Sequence, residues 1–512
     1  MSSYRFLTGH SGFRIRLIMQ GLAVGLAAGG ASIGYRALIA AAESFARSAL
    51  AGGFALPLPV LLAAWTAGAF ILARIMEWEP MALGSGIPQV EGELLGKMSM
   101  NWWRVLAARF AGGGLAVALG MSLGRGAPSI QVGAAAGKGV AAGLGEGRAR
   151  EGLSLSGGAA AGFSAAFNAP LAGGIFVLEE VHKSFSPPLL LSAMMASLGA
   201  DFLSRHFFGL GPVFSVPIVS PLPLARYGHL LLLGVLCGGG GALFCRLILL
   251  CQSLFGRVFS RAGTRMLVPA LAALCMGPFM PEILGGGQKL VELLAGGELG
   301  LHPLVMIFAG KLLFTSLCLG SGAPGGIFLP MLALGAALGA IYGTGAAMIF
   351  GVDGAFTGNF LVLGMAGFCA GVVRAPITAI VLITEMTGSF YHLLSVSMVA
   401  ITAEATAGLL GSRPVYYSLL LRMLRKERKK DQGDKVLLEV VVSPGSPLDG
   451  ALLRDVPVPE GCLFISIERA GEEVLPRGGT RLEPGDRITA IAEGRRSLVI
   501  RERLQRLGDG RG

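Results

Sequence analysis

The sequence predicts an all-α polytopic membrane protein with an internal repeat of broken helices, followed by a small α/β domain. Three observations predict this architecture: an apolar composition, glycine-proline motifs that recur in two halves of the chain, and a polar C-terminal segment with the alternation of short strands. The 512 residues are 53% hydrophobic and only 14% charged, whereas a soluble domain has about one-quarter charged residues. The mean hydropathy is +0.67.

The apolar residues are concentrated in long stretches. Asp, Glu, Lys and Arg are absent from residues 48–73, 152–178, 312–352, 354–373 and 386–403. Each stretch reaches the roughly 18 apolar residues that suggest a bilayer span, so we expect at least five spans. Arg14 and Arg16 precede the first apolar run, and a basic run, 422–430, follows the last. The positive-inside rule therefore predicts that both termini are cytoplasmic.

The charged and reactive residues argue against several function classes. The net charge is +11, but the basic residues lie mainly at segment ends without interleaved aromatic residues, which indicates membrane orientation rather than nucleic-acid binding. Six of the seven cysteines lie in apolar segments and none forms a CxxC pair, so we expect neither a disulfide nor a metal site. The patterns HExxH, GxSxG and GxxxxGKS/T are missing, so we expect neither an enzyme nor a cofactor.

Three motif pairs recur in the same order in the two halves of the chain. In the third pair a Glu, Glu179 or Glu385, follows a Pro by nine residues both times. Fragmentation of apolar segments by Gly and Pro at corresponding places is typical of a transporter binding site between inverted repeats. The pairs are GSGIPQVE, 84–91, with GGGQKLVE, 285–292; GRGAP, 124–128, with GSGAP, 320–324; and AFNAPLAGGIFVLEE, 166–180, with VVRAPITAIVLITEM, 372–386.

These motifs break helices at membrane depth, where irregular backbone is tolerated only if it is buried in protein or lines a watery cavity. Pro128 and Pro324 suit the first turn of a helix, because proline lacks the N–H that would be unpaired there. We therefore expect helices from about Ser129 and Gly325. A helix N-terminus has free N–H groups and about half a positive charge, which favours an anion. Such dipoles release an ion more readily than a full Lys or Arg charge, as conduction requires.

The motifs resemble those of the CLC family of chloride channels and proton-coupled chloride transporters, over roughly residues 12–425. The resemblance implies the CLC fold with inverted halves, about 12–220 and 225–425, a homodimer with one anion pathway in each subunit, and the bacterial inner or plasma membrane. It implies that the hydroxyl groups of Ser85 and Tyr416 contact a central chloride. The backbone N–H groups of Ile327 and Phe328 would complete the shell of that ion.

The same residues allow other interpretations when they are taken without the family. Ser85 could be a helix cap, because serine is a preferred capping residue. Tyr416 beside Tyr417 could be an interfacial aromatic. The serine in the first motif also resembles the chloride type rather than the fluoride-selective branch of the family.

The chain departs from the family at the first glycine-proline motif. Most of the family reads Gly-Arg-Glu-Gly-Pro, with a glutamate that is both gate and proton carrier, whereas here the motif is GRGAP, 124–128. We count Arg125, Gly126 and Ala127 among the anion-binding residues and expect the volume vacated at Gly126 to hold a second chloride or water. The motif thus favours passive or weakly proton-coupled chloride transport. The alternative is a proton-coupled antiporter that uses a relocated acid.

Two acids of the motifs need an interpretation, since buried acids at membrane depth are functional candidates by default. Glu180 matches the family's inner proton-transfer glutamate, and it is either a proton-pathway residue or a structural one. Glu385 is expected to be structural, accepting hydrogen bonds from free backbone N–H groups.

The composition changes after the membrane part, 1–430, and residues 431–512 form a predicted cytoplasmic domain. DQGDK, 431–435, reads as a polar linker, and alternation predicts strands at Leu463–Arg469 and Arg487–Glu493. The string CLFISIERAGEEVLPRGGTRLEPGDRITAIAEG resembles the TrkA-C domain, the C-terminal half of the RCK module. The resemblance implies either a domain that binds a small regulatory ligand, such as a cyclic dinucleotide, or a structural domain that stabilises a dimer.

Overall fold

The computed structural model describes residues 11–50, 57–214, 216, 222–259, 262–297, 299–430, 435–469, 472–493, 500, 503, 504 and 507. The chain divides into two compact units, Met1–Leu420 and Leu421–Gly512. Each unit is described by itself. Most of the predicted linker, 431–434, lies outside the described residues, as does most of the tail after 493.

The described part of the first unit is built of helices, the last of which continues past Leu420 into the second unit. Its helices are α1 Ser11–Leu50, α2 Leu58–Trp78, α3 Ile87–Leu94, α4 Trp102–Ala108, α5 Gly114–Ala118, α6 Gly126–Gly143, α7 Arg148–Phe167, α8 Pro170–Phe176, α9 Pro187–Phe208, α10 Gly228–Val258, α11 Ala262–Met276, α12 Gln288–Ala295, α13 Leu301–Gly320, α14 Phe328–Phe350, α15 Thr357–Val373, α16 Pro376–Thr387, α17 Leu393–Leu409 and α18 Val415–Lys430. A π-helical segment, Arg109–Gly113, joins α4 to α5, and another, Val177–His182, continues α8.

Within the described residues, six helices are long and apolar enough to cross a membrane, which agrees with the expectation of at least five spans. They are Arg14–Leu50, Leu58–Trp78, Leu224–Val258, Leu301–Gly320, Phe328–Phe350 and Gly354–Val373. Four of the five charge-free stretches are interrupted, among them 48–73 between Leu50 and Leu58 and 386–403 between Thr387 and Leu393. The stretch 152–178 breaks at Asn168, whose backbone is left-handed with φ 51°, and 312–352 breaks between Gly320 and Phe328. Hydropathy alone does not register these breaks, because the interrupting residues are themselves apolar or small.

Two of the three predicted motif pairs are confirmed by matching backbone conformations. In AFNAP and VVRAP, Asn168 and Arg374 are both left-handed, with φ 51° and 67°, two residues before the prolines that begin α8 and α16. α3 and α12 each begin three residues after the leading glycine of their motif. The first and third glycines have positive φ in both motifs: 65° and 98° at Gly84 and Gly86, 62° and 94° at Gly285 and Gly287. The left-handed region is accessible to glycine without steric cost, so the same tight entry into a helix is built twice.

The pairing of GRGAP with GSGAP is wrong. The structural counterpart of 124–128 is Gly-Ile-Phe-Leu-Pro, 326–330. Gly124 and Gly326 form an isolated antiparallel bridge in which the N–H of each donates to the carbonyl of the other, at 2.9 and 2.8 Å. α6 and α14 begin two residues after these glycines, and Pro128 and Pro330 are each the third residue of their helix.

The predicted starts of these helices therefore need correction. α6 begins at Gly126 rather than about Ser129, and α14 begins at Phe328 rather than Gly325. Pro324 lies in the loop before α14, since the chain must first form the bridge to Gly124. A proline suits the first turn of a helix, but it does not determine that a helix begins there.

The second unit contains a four-stranded antiparallel sheet in the order β1-β4-β2-β3, with β1 Lys435–Val441, β2 Cys462–Arg469, β3 Glu472–Val474 and β4 Arg487–Glu493. β4 has the predicted bounds, and β2 begins one residue earlier than predicted. One face of the sheet is apolar, as the alternation indicated, and its buried residues include Leu438, Val440, Ile467, Ile488 and Ala490.

A network of ion pairs connects the end of β2 to the turn before β4. The Arg469 guanidinium donates to both carboxylate oxygens of Asp486, at 2.8 and 2.7 Å, and also to Glu483 at 2.8 Å. The Asp486 side chain is 1% exposed. The hydrogen bond from Arg469 holds the pKa of Asp486 below its ordinary value, so the pair stabilises the domain above that ordinary value and the stabilisation is lost as the pH falls through the lowered one.

We predict that Asp486→Asn loosens the sheet of the full-length protein. Loss of the charge-assisted bonds should cost about 2 kcal/mol, or roughly thirty-fold faster amide exchange, in peptides that contain β2 and β4. In the unmodified protein the same protection should fall below about pH 4, the ordinary range of an aspartate, and the Asn variant should lack this transition. Glu483→Gln is the matched control, because that carboxylate is 57% exposed. Equal exchange in both variants would contradict the assigned role.

Candidate anion-binding site

Three glycine loops meet where α3, α6 and α14 begin. The Gly84 N–H donates to the carbonyl of Gly322, and the Gly325 N–H donates to the carbonyl of Gly84, both at 3.1 Å. The bridge between Gly124 and Gly326 joins the remaining loop. The contacts bring together the loops that hold Ser85, Gly126 and Ile327, as the sequence predicted for a single site.

Two helix N-termini present free N–H groups at this junction. In α6 the first N–H to bond back along the helix is that of Ser129, to the carbonyl of Arg125, and in α14 it is that of Met331, to the carbonyl of Ile327, both at 3.0 Å. The N–H groups of the preceding first-turn residues have no acceptor within their helix. Neither helix has a side-chain cap. Both N-termini therefore offer donors and partial positive charge to an anion.

The two predicted hydroxyl ligands are buried and unpartnered. Ser85 is 4% exposed and Tyr416 is 0% exposed, and neither hydroxyl has a hydrogen-bond partner among the described residues. Buried polar groups are normally paired, so both need an explanation. The cap at α3 is Gly86, with no side-chain capping bond, so the capping interpretation of Ser85 is wrong. Tyr416 is too buried for an interfacial aromatic, a description that suits Tyr417, which is 39% exposed.

The volume expected to be vacant at Gly126 is occupied. A Cβ placed on this glycine would overlap Cζ of Phe167 and would lie 3.3 Å from Cβ of Phe328. The two rings belong to a cluster with Phe163 and Phe176, in which the Phe163–Phe167 and Phe167–Phe328 centroids are 5.0 and 5.3 Å apart. The expectation of a second ion or water in the side-chain space is therefore wrong, because an aromatic ring fills it.

Arg125, the N-cap residue of α6, carries a buried cation next to the site. Its side chain is 6% exposed, and its Nε and Nη2 atoms have no hydrogen-bond partner among the described residues. The nearby charges that act on it include those of Glu43 and Arg36. The Glu43 carboxylate accepts a hydrogen bond from the N–H of Gly286 at 2.5 Å. The guanidinium thus adds positive potential that is only partly compensated.

Arg109 is a site residue that the sequence reasoning missed. It is fully buried on the π-helical segment after α4. Its Nη1 donates to the carbonyl of Gly84 at 2.8 Å and its Nε donates to Gln131, whose amide donates to Met81 at 2.8 Å. These bonds fix the loop that holds Ser85. An arginine inside an apolar run was the available signal, since such residues are rare at membrane depth.

Comparison with known proteins identifies the family. A family model described as voltage gated chloride channel matches residues 67–408, two-thirds of the chain. The chain belongs to the CLC family. A second model, the TrkA-C domain, matches residues 437–505. The CLC match includes Ser85, Gly126 and Phe328 and ends before Tyr416.

Relatives and solved structures agree with this assignment. The H⁺/Cl⁻ exchange transporter ClcA of Vibrio cholerae is 36% identical over 386 residues, covering 73% of this chain and 82% of that protein. The ClcA protein of Salmonella agona is 35% identical over 72% of this chain and 80% of that protein. A slow cyanobacterial Cl⁻/H⁺ antiporter aligns with a TM-score of 0.76 and 29% identity, over 80% of this chain and 99% of that one. A fluoride/proton antiporter, 21% identical with a TM-score of 0.67 over 78% of this chain and 96% of that one, shares the fold.

Two glutamates of this CLC chain cap the broken helices of the opposite half. Glu385 accepts from the first two free N–H groups of α8, and Glu179 accepts from those of α16. The structural role predicted for Glu385 is confirmed, and the reciprocal role of Glu179 was not foreseen. The donors are Leu171 and Ala172, at 3.1 and 2.8 Å, for Glu385, and Ile377 and Thr378, at 3.2 and 2.7 Å, for Glu179.

Glu180, the next residue, lies in a different environment. It is 3% exposed and its Oε1 atom has no hydrogen-bond partner among the described residues. The charges that act on it are those of Lys183, Glu91 and Glu179, and Lys183 forms an ion pair with Glu91 at 2.6 Å. Glu180 also acts electrostatically on Tyr416. Glu180 is thus not held by a hydrogen bond through Oε1, unlike its neighbour Glu179.

We predict that Glu179→Gln destabilises the protein whereas Glu180→Gln does not. The glutamine amide at 179 would face backbone donors that a carboxylate now satisfies, at a cost of about 2 kcal/mol. Glu180 makes no such bond through Oε1, so its neutral variant should keep or raise the thermal unfolding midpoint of the purified protein. An equal decrease in both variants would refute the distinction between the two acids.

Proposed function

We propose that this CLC protein conducts chloride passively, or with weak proton coupling, through a pathway in each subunit. The observation that carries the proposal is at position 126. The family pattern has a gating glutamate there, and this chain has a glycine whose side-chain space is filled by Phe167. A carboxylate in that place could exchange with chloride and carry a proton, and neither glycine nor a phenyl ring can do so.

The bound anion would lie at the junction of the three glycine loops. Moving a small ion into a low-dielectric medium costs about 20 kcal/mol in an idealised estimate, so several donors must replace its water. The hydroxyl groups of Ser85 and Tyr416 and the N–H groups of Ile327 and Phe328 supply them in this proposal. Gly126, Ala127 and Arg125 form the adjacent part of the pathway. Neutral dipoles keep the ion bound weakly enough to leave.

A second candidate function is proton-coupled antiport with a relocated acid. The relatives described above are named H⁺/Cl⁻ exchangers, and Glu180 has an oxygen without a structural partner. No Asp or Glu occurs between Glu93 and Glu146, so a substitute for the missing glutamate would have to come from elsewhere in the chain. We therefore rank passive conduction first.

The remaining parts of the proposal follow from the family. We infer a homodimer, both termini in the cytoplasm, and a TrkA-C domain that either binds a small regulatory ligand, such as a cyclic dinucleotide, or stabilises the dimer. The match of that domain to residues 437–505 supports its type. The bilayer and chloride are the other partners in this proposal, with no nucleic acid and no metal.

Chloride and proton movements in liposomes distinguish the two functions. Purified protein in chloride-loaded vesicles should release chloride only when valinomycin provides a potassium shunt. An external pH electrode should record no uphill proton movement during the release. A proton ionophore is the control for passive proton leak. Uphill proton uptake driven by the chloride gradient would sink the passive assignment and favour the antiporter.

We also predict that Tyr416→Phe weakens chloride binding about five-fold, measured by titration calorimetry on the purified protein. The variant removes one hydrogen bond to the ion, worth about 1 kcal/mol, and a ten-fold change corresponds to about 1.4 kcal/mol. Tyr417→Phe is the matched control and should bind like the unmodified protein, because that side chain is partly exposed. Equal affinities for both variants would exclude Tyr416 from the chloride shell.

A further inference from the structure

We propose that the ring of Phe167 is the gate of this pathway, a hydrophobic constriction that stands where the family has a carboxylate. The inference rests on the proposed chloride conduction and adds a residue to it. Its starting point is the position of the ring, whose Cζ and Cε2 atoms overlap the place that a Cβ on Gly126 would take. The ring therefore occupies the space that a side chain at position 126 would enter first.

The ring lies against the donors that the anion needs. Gly126 and Ala127 are the first residues of α6, and their N–H groups have no acceptor within the helix. Phe328, whose N–H is a proposed ligand, packs against the same ring at a centroid distance of 5.3 Å. An ion moving from the Phe328 N-terminus to the Gly126 N-terminus would have to displace the ring of Phe167.

The backbone of Phe167 is held in place, so opening requires rotation of the side chain. Phe167 is the last residue of α7, and the next residue, Asn168, has a left-handed backbone. Arg36 and Ser204 donate to the Asn168 side chain at 2.8 and 2.9 Å, and Arg205 donates to its carbonyl at 3.1 Å. These bonds clamp the helix end on both side-chain and main-chain atoms. In this proposal the phenyl ring is the part that moves.

A phenyl gate differs in chemistry from a carboxylate gate. It carries no charge, so it neither competes with chloride for the donors nor binds a proton. The ring edge has positive electrostatic character, and its edge atoms Cζ and Cε2 are the ones nearest to the Cβ position of Gly126. The ring therefore closes the pathway by excluding water, as hydrophobic constrictions do, and a chloride can pass its edge without repulsion.

Chloride efflux from liposomes tests the gate. Phe167→Ala should raise the rate at least several-fold with valinomycin present, and Phe167→Leu should give an intermediate rate. The matched control is Phe163→Ala, one turn earlier on α7 in the same buried cluster. This substitution also removes a phenyl ring from the cluster, but the ring of Phe167 still fills the space at Gly126. The chloride efflux rate of Phe163→Ala should therefore not rise.

A steric test does not depend on flux. Gly126→Ala should lower the thermal midpoint of the purified protein, because its Cβ overlaps the ring, and Phe167→Ala should remove that penalty in the double variant. Contacting residues show such non-additivity, and distant ones do not. Additive effects of the two substitutions would show that the ring does not fill the space at 126.

The outcomes separate the gate from the function on which it rests. Suppose that the unmodified protein conducts chloride. A rate that is unchanged or lower in folded Phe167→Ala, or that rises equally in Phe163→Ala, would overturn the gate and leave the proposed conduction standing. Flux that appears only in Phe167→Ala would support both. Absence of chloride flux in the unmodified protein and in Phe167→Ala would overturn the proposed conduction and the gate together.

Discussion

Every helix that begins inside an apolar medium leaves backbone N–H groups that water cannot satisfy, and this constraint organises the membrane unit. An unpaired buried N–H is costly, and the helices of this chain that start at such interruptions include α6, α8, α14 and α16. Their N-termini must be satisfied by a side chain, by another part of the backbone or by an ion. The group that satisfies each N-terminus indicates whether that terminus has a structural role or is open to an ion.

The chain satisfies the four N-termini in two ways. α8 and α16 receive carboxylates, each supplied by the opposite half, so Glu179 and Glu385 tie the repeats together and close these termini to anions. α6 and α14 have no side-chain cap, and the bridge between Gly124 and Gly326 sets them side by side. Two termini are thus occupied by fixed negative charge, and two have no side-chain cap, as the proposed anion site requires.

The sequence was informative wherever a local pattern determines the structure. The motif pairs predicted helices broken at corresponding places in two halves, Glu385 was predicted to be a structural acid, and the alternation predicted β2 and β4. It failed where the answer depends on distant packing. Gly326 was not recognised as the partner of Gly124, because in a glycine-rich chain several registers of a short motif look equivalent.

The failure at Gly126 has the same origin. A sequence shows that a carboxylate is missing, but it does not show which neighbour fills the space, since that depends on the rotamer of Phe167 at the end of another helix. Arg109 and Glu179 were likewise overlooked because their partners, Gly84 and the start of α16, lie far along the chain.

In the proposed function, a glycine at 126 with a phenyl ring in its side-chain space leaves the pathway without a titrating gate, so chloride should move down its own electrochemical gradient alone. The most direct test is the voltage at which net chloride flux vanishes, set with potassium and valinomycin across vesicles of fixed chloride gradient. That voltage should equal the chloride equilibrium potential at every imposed pH difference. A zero-flux voltage that shifts with the pH difference would demonstrate proton coupling and contradict this account.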